Sequence, residues 1–168
     1  VEQVRHVGDP VAFIVAETHQ AARDAMELVM VDYDILPSVT DLGAAMDAGQ
    51  PQVWDSVASN RCFDWEIGNK ARTDELFGRA AHVTRLTVVN NRVVVASLEA
   101  RAAVAEFDAS SGRWTLHTNT QGGWSLKSML AAAVFKVPED RFRVVTPDVG
   151  GGFGMKLFLY AEHVLTCY

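Results

Sequence analysis

Residues 146–156 read Thr-Pro-Asp-Val-Gly-Gly-Gly-Phe-Gly-Met-Lys. Gly150, Gly151, Gly152 and Gly154 surround one aromatic residue, Phe153. A chain places glycines this densely where its backbone must bend freely or come very close to something. The run "DRFRVVTPDV" reads as a strand leading into this stretch, and sheets of the α/β type place ligands at strand C-termini.

The loop fits neither of two well-known phosphate motifs. A dinucleotide fingerprint needs G-x-G-x-x-G, and counting from Gly150 puts Met155 in its last position. A P-loop ends in Gly-Lys-Ser/Thr, whereas this chain has Gly154-Met155-Lys156-Leu157. Two readings stay open: a tight connection without a ligand, and a cradle of bare N–H groups that accepts phosphate or oxo oxygens. An aromatic in mid-loop suits a wall beside a flat ligand or reactive centre better than a phosphate cradle. On the cradle reading, a Cβ at Gly152 projects into space the ligand needs. Lys156 reads as a solvated loop charge.

The rest of the chain supplies two α+β regions. "PVAFIVAE" (10–17) and "MVDYDILPSV" (30–39) have the texture of strands, with Pro37 at an edge or bend. Between them Ala22, Met26 and Val29 recur at helical spacing after a Thr18 N-cap. A polar, turn-rich stretch over 47–62 sets a domain boundary near residue 57, giving domains 1–57 and 58–168. Beyond it come a short helix over 72–83 with Thr73 as its cap, and a β-rich run over 82–97. A hairpin follows, turning at "DASSG" with Gly112. A helix over 123–135 presents Leu126, Met129, Leu130 and Ala133 as one stripe.

Composition excludes several functions. Of the 168 residues, 49% are hydrophobic and 21% charged, and the formal net charge is −6 with no basic run. That opposes nucleic acid or an anionic membrane surface as partner. No apolar stretch reaches membrane-spanning length and no signal peptide is visible, so a cytoplasmic location is expected. Cys62 and Cys167 share no metal spacing and read as two reduced thiols. The five histidines are scattered and offer no Ser-His-Asp arrangement. The four tryptophans read as core or interface packing.

Five stretches in order carry a family resemblance: "VRHVGDPVAFIVAET", "LEARAAVAEFD", the "TQ" of "HTNTQGG", "VPEDRFRVVTPDV" and "DVGGGFGMK". Together they resemble the large, molybdenum-binding subunit of the xanthine dehydrogenase, aldehyde oxidase and aerobic carbon monoxide dehydrogenase family. The resemblance implies the C-terminal part of a hammerhead-like α/β domain followed by the first part of a molybdopterin-binding domain. It implies a molybdenum–molybdopterin cofactor in the cytosine dinucleotide form, lined by Gly151, Gly152, Phe153 and Gly154, with Gln121 near an apical oxo ligand. An amide N–H₂ beside such an oxygen is sensible donor chemistry. The implied reaction is hydroxylation of an aldehyde, an N-heterocycle or a similar small molecule by water-derived oxygen. Electrons leave through FAD and [2Fe-2S] centres on an FAD-binding subunit and an iron–sulfur subunit, in an assembly that can be a dimer of heterotrimers. No catalytic residue and no direct metal ligand is assigned in this stretch, and the chain by itself is expected to be inactive. A subunit-docking module and a phosphate-binding protein are the alternatives.

The chain also departs from the family pattern. Leu98-Glu99-Ala100-Arg101 stands where members often carry Met-Glu-Pro-Arg, so a backbone restraint is lost. Glu99 and Arg101 are candidates for an ion pair or plain surface charges. Met155 replaces a common Gly or Thr. Lys136 replaces a helix-ending glycine, and must either turn left-handed or end the helix differently.

Overall fold

In a computed structural model the protein is described over residues 3–91 and 93–168. It forms two compact units, Val1–Asn91 and Arg92–Tyr168. The fold class is α+β.

The first unit holds helix α1 (His19–Glu27) and helix α2 (Lys70–Gly78). Thr18 caps α1 as expected, its Oγ1 accepting the Ala21 N–H at 3.1 Å. The cap of α2 is Asn69, which accepts the Arg72 N–H at 2.9 Å. Thr73 is not the cap. It lies inside the first turn, where its hydroxyl donates to the Asn69 carbonyl at 3.0 Å, an alternative partner that Thr finds within helices.

The runs at 10–17, 30–39 and 82–97 form no paired strand among the described residues. Most described side chains in these runs are exposed: Val15 is 84% exposed and Ile35 90%. Apolar alternation states that a segment suits a sheet, but a strand exists only where a second one satisfies its N–H and C=O groups.

The second unit does contain that partnership. Strands β1 (Ala103–Asp108) and β2 (Arg113–Thr118) form the expected hairpin, with Ala103 opposite Thr118 and Asp108 opposite Arg113. Asp108 organises the turn. Its carboxylate accepts the Ser110 hydroxyl and the Ser111 hydroxyl, each at 2.6 Å. These bonds, Ser110 first, hold its pKa down at about 2. Gly112 takes φ +64, and a Cβ there would come within 2.8 Å of Arg141 Nη1.

Strand β3 (Phe142–Val145) lies parallel to β2 on its other side. The crossover runs through helix α3 (Gly123–Ser128) and a π-helical continuation, Met129–Phe135. The wider winding moves the buried stripe. Leu126, Leu130 and Ala131 are fully buried, while Ala133, expected to share their face, is exposed. The i→i+5 step carries Ala131 to the inside in its place. Lys136 ends the segment left-handed, at φ 54 and ψ 45, the first of the two options open to it.

Inward-facing Leu116, Leu126, Leu130, Ala131, Phe142 and Cys167 make the core of this unit. Trp114 stacks on Phe142 with ring centroids 5.0 Å apart and donates its Nε1–H to the Cys167 carbonyl at 2.9 Å. That bond docks helix α4 (Ala161–Cys167) onto the sheet. Trp54, Trp65 and Trp124 are exposed rather than core. Both cysteines are free, Cys62 exposed and Cys167 buried. Burial pushes the Cys167 thiol pKa up. No helix among the described residues is long and apolar enough to cross a membrane.

Candidate functional site

The end of β2 builds the site through four consecutive polar residues, Thr118 to Gln121. The Thr118 hydroxyl donates to the Ala102 carbonyl at 2.7 Å. Asn119 accepts the Ala102 N–H at 3.0 Å and donates to the Ala100 carbonyl at 2.7 Å. The Thr120 hydroxyl donates to the Lys156 carbonyl at 2.9 Å. Gln121 exchanges two bonds with Lys156: its N–H donates to the Lys156 carbonyl at 3.0 Å, and its Oε1 accepts the Lys156 N–H at 3.1 Å. β2 ends at Thr118, and the residues that leave it hold the 99–102 segment and the glycine loop at once. Thr118, Asn119 and Thr120 are all buried; each is also satisfied, as buried polar groups must be.

This arrangement brings Gln121, Gly151, Gly152, Phe153 and Gly154 together. A Cβ on Gly152 would fall 2.4–2.6 Å from Gln121 Cδ, Oε1 and Cγ. A side chain at Gly152 therefore meets Gln121, beside the space that the cradle reading gives to a ligand. Because the Lys156 N–H requires an acceptor, Oε1 is fixed toward Lys156, and the N–H₂ end of Gln121 is turned away as a donor. Gly151 and Gly154 take φ +94 and +83, values open to glycine.

Phe153 sits at φ +51 with a side chain 78% exposed. A bulky residue seldom adopts this backbone region, so the ring is held out at a cost of strain rather than tucked into core. The N–H groups of Gly151, Gly152, Phe153 and Gly154 donate to no acceptor among the described residues. Successive unpaired N–H groups of this kind can bind ligand oxygens.

Two charged residues complete the loop, and both differ from expectation. Lys156 is not solvated: it is 1% exposed, and its Nζ meets Glu99 Oε2 at 2.6 Å. Glu99 does not pair with Arg101. The Lys156 ammonium, followed by the Gly150 N–H, holds the Glu99 carboxyl pKa below its ordinary value. Arg101 pairs instead with Glu162 at 2.6 Å and lies 3.7 Å above the Tyr160 ring, facing a cavity of about 510 Å³ that Ser97, Met155 and Glu162 also line.

His163 is buried, and its tautomer follows from its partners. Nδ1 accepts the Tyr160 N–H at 3.2 Å, while Nε2 faces the Thr118 hydroxyl oxygen at 3.3 Å, whose proton goes to Ala102. The proton of the neutral ring is thus on Nε2. Burial is the main cause of its lowered pKa.

Thr118, Asn119 and Thr120 are residues that the sequence reading passes over, and Glu99 and Lys156 take partners it does not name. The available signal was "TNTQ", a polar run joining a clear strand to a clear helix. Among the described residues no group of three or more His, Cys, Asp or Glu side chains is placed to hold a metal ion. A metal beside this loop would bring its own ligands, as a pterin-borne metal does, and the bare donors with the Gln121 amide fit such a group.

Comparisons with known proteins show the family. Residues 53–168 match the family described as molybdopterin cofactor-binding domain. Residues 1–37 match the aldehyde oxidase and xanthine dehydrogenase a/b hammerhead domain. The chain is 33% identical to the carbon monoxide dehydrogenase large chain of Afipia carboxidovorans, over 97% of this chain and 22% of that one. It is 33% identical to the nicotine 6-hydroxylase large subunit of Paenarthrobacter nicotinovorans, over 96% of this chain and 20% of that one. The structure is similar to that of the Cu,Mo-CO dehydrogenase in its carbon monoxide reduced state, with TM-score 0.71 and 33% identity over 88% of this chain and 20% of that chain. It is similar also to quinoline 2-oxidoreductase from Pseudomonas putida 86, with TM-score 0.68 and 33% identity over 90% of this chain and 19% of that chain. The chain thus spans about a fifth of the length of these relatives.

Proposed function

The chain belongs to the molybdopterin cofactor-binding large subunits of the xanthine dehydrogenase family, and on that premise we propose that residues 150–156 with Gln121 form one wall of a molybdenum–pterin site. When bound, that group supplies two-electron hydroxylation chemistry with oxygen from water. The protein's part is placement. The N–H groups of Gly151, Gly152, Phe153 and Gly154 donate to oxygens of the group, the Gln121 N–H₂ donates from one side, and the Phe153 ring excludes water from another. The single observation that carries this reading is the row of four unused donors beside an amide whose acceptor end is already taken.

The complete protein then oxidises an aldehyde, an N-heterocycle or a similarly small molecule, the class spanned by relatives named for carbon monoxide, nicotine and quinoline. The cytosine dinucleotide form of the cofactor, the FAD and [2Fe-2S] partner subunits, a dimeric assembly and a cytoplasmic location belong to the same proposal. So does the division near residue 57 between a hammerhead-like and a molybdopterin-binding domain, supported by the turn-rich texture of 47–62.

Metal and pterin analysis of the complete protein tests the reading; stoichiometric molybdenum is expected, and sulfate or nucleotide at the loop with no pterin would replace it by a phosphate-binding function. Gln121→Glu sharpens the test. It keeps an oxygen for the Lys156 N–H but removes the outward donor, so turnover should fall about 10–100-fold with molybdenum content retained. Unchanged turnover would remove Gln121 from the site.

A further inference from the structure

We infer that Glu99 and Lys156 act as a positioning pair that keeps the glycine loop open toward the molybdenum–pterin group, an inference that rests on the function proposed above. Glu99 Oε2 accepts the Gly150 N–H at 2.7 Å and Lys156 Nζ at 2.6 Å. Residues from the two ends of the loop are therefore held on one carboxylate oxygen. The Glu99 N–H returns a bond to the Gly150 carbonyl at 3.3 Å. Lys156 adds the second grip through its backbone, which Gln121 and Thr120 hold.

The consequence is that the nearest side-chain acceptors are already engaged. Glu99 Oε2 and Gln121 Oε1 are the side-chain oxygens that lie against Gly150 and Gly152. The first is occupied by Gly150 and Lys156, and the second by the Lys156 N–H. Both are engaged at the flanks of the loop by donors other than those of 151–154, which stay directed to a ligand. The ammonium has a second effect. Beside a cradle made for oxygens, an unpaired carboxylate would compete for the donors and repel an anionic group; Lys156 cancels it from a fully buried side chain.

This assigns the pair an effect that depends on the sign of the charge left behind. Lys156→Met leaves Glu99 unneutralised, Glu99→Gln keeps an acceptor for Gly150, and the double variant is neutral. The experiment measures molybdenum and pterin per folded complete protein for the wild type, K156M, E99Q and K156M/E99Q, with folding checked by circular dichroism. K156M should retain about 10–100-fold less cofactor than wild type, E99Q should lose less, and the double variant should recover much of what K156M loses. Amide exchange of Gly151–Gly154 should slow in apo K156M as the freed carboxylate captures those donors. Wild-type loading in K156M, or a double variant as empty as K156M when both are folded, would overturn the pair. If K156M does not fold, E99Q decides between wild-type loading, which overturns the inference, and a partial loss, which supports it. A wild-type protein without molybdenum would instead overturn the function proposed above, and the inference with it.

Discussion

The two units of this chain have similar apolar patterns and opposite outcomes. In the second, the alternation of β2 puts Leu116 at 0% exposure between two strands. In the first, Phe13 is 53% exposed, and no residue described there is fully buried. The ion pairs divide in the same way. Lys70–Asp74 spans one turn of α2 in open solvent, where such a pair contributes little, whereas Lys156–Glu99 joins segments 57 residues apart around a buried ammonium. The lesson is that apolarity and charge do not specify structure alone. The second unit encloses its own partners, including a parallel strand brought back by a crossover.

The largest test of this contrast is truncation of an aromatic in each unit. Phe142→Ala should destabilise the second unit by about 3–5 kcal/mol, since the cavity left among Trp114 and Phe135 cannot collapse freely. Phe13→Ala in the first should cost less than about 1 kcal/mol, because its half-exposed ring gives up little buried area. Hydrogen exchange of the complete protein reads both, and equal losses would dissolve the distinction.

A smaller effect is expected at Gly152. Gly152→Ala pushes Gln121 off the loop and leaves the Lys156 N–H without its acceptor, a cost of about 1–3 kcal/mol. Exchange of the Lys156 amide should quicken; an unchanged rate would mean that the Gln121 contact does not hold the loop.

The mildest effect should come from acid. His163 is held neutral, so between its lowered folded value and the ordinary value near 6.5 the unfolded chain binds the extra proton. Its contribution is full above that window and is lost as the pH falls through it. Glu99 follows in the carboxylate range, its contribution lost as the pH falls through its depressed folded value. Amides of α4, which rely on the His163 Nδ1 acceptor at Tyr160, should lose protection as the pH falls below about 6.5, before those of β2. Loss in the reverse order would contradict the neutral tautomer.

What could be read from the sequence follows the same line. The β1–β2 hairpin was legible because its pattern and its turn are local. Gln121 and the glycine loop were legible as family motifs, and the structure brings them together. Thr73 was misjudged as a cap because Asn69, three residues before Arg72, offers the better-placed oxygen. Ala133 was misplaced because nothing in its spacing announces a π-helical turn. Lys156 was misjudged because its partner lies 57 residues away, and no window along the chain contains both. The strand textures at 10–17 and 30–39 were legible as apolar runs, but what pairs with them is not written nearby.

The hairpin's tip, far in sequence from the loop, has an influence that its solvent-facing position conceals. Asp108, its two serines and Gly112 decide which residue of β2 faces which residue of β1. A slip by one position would send Thr118, the last residue of β2, to the opposite side of the sheet. Its grip on the Ala102 carbonyl would then be lost, and with it the placement of the residues that follow toward Lys156. A small surface bend thus serves as the alignment pin for the donors at 151–154.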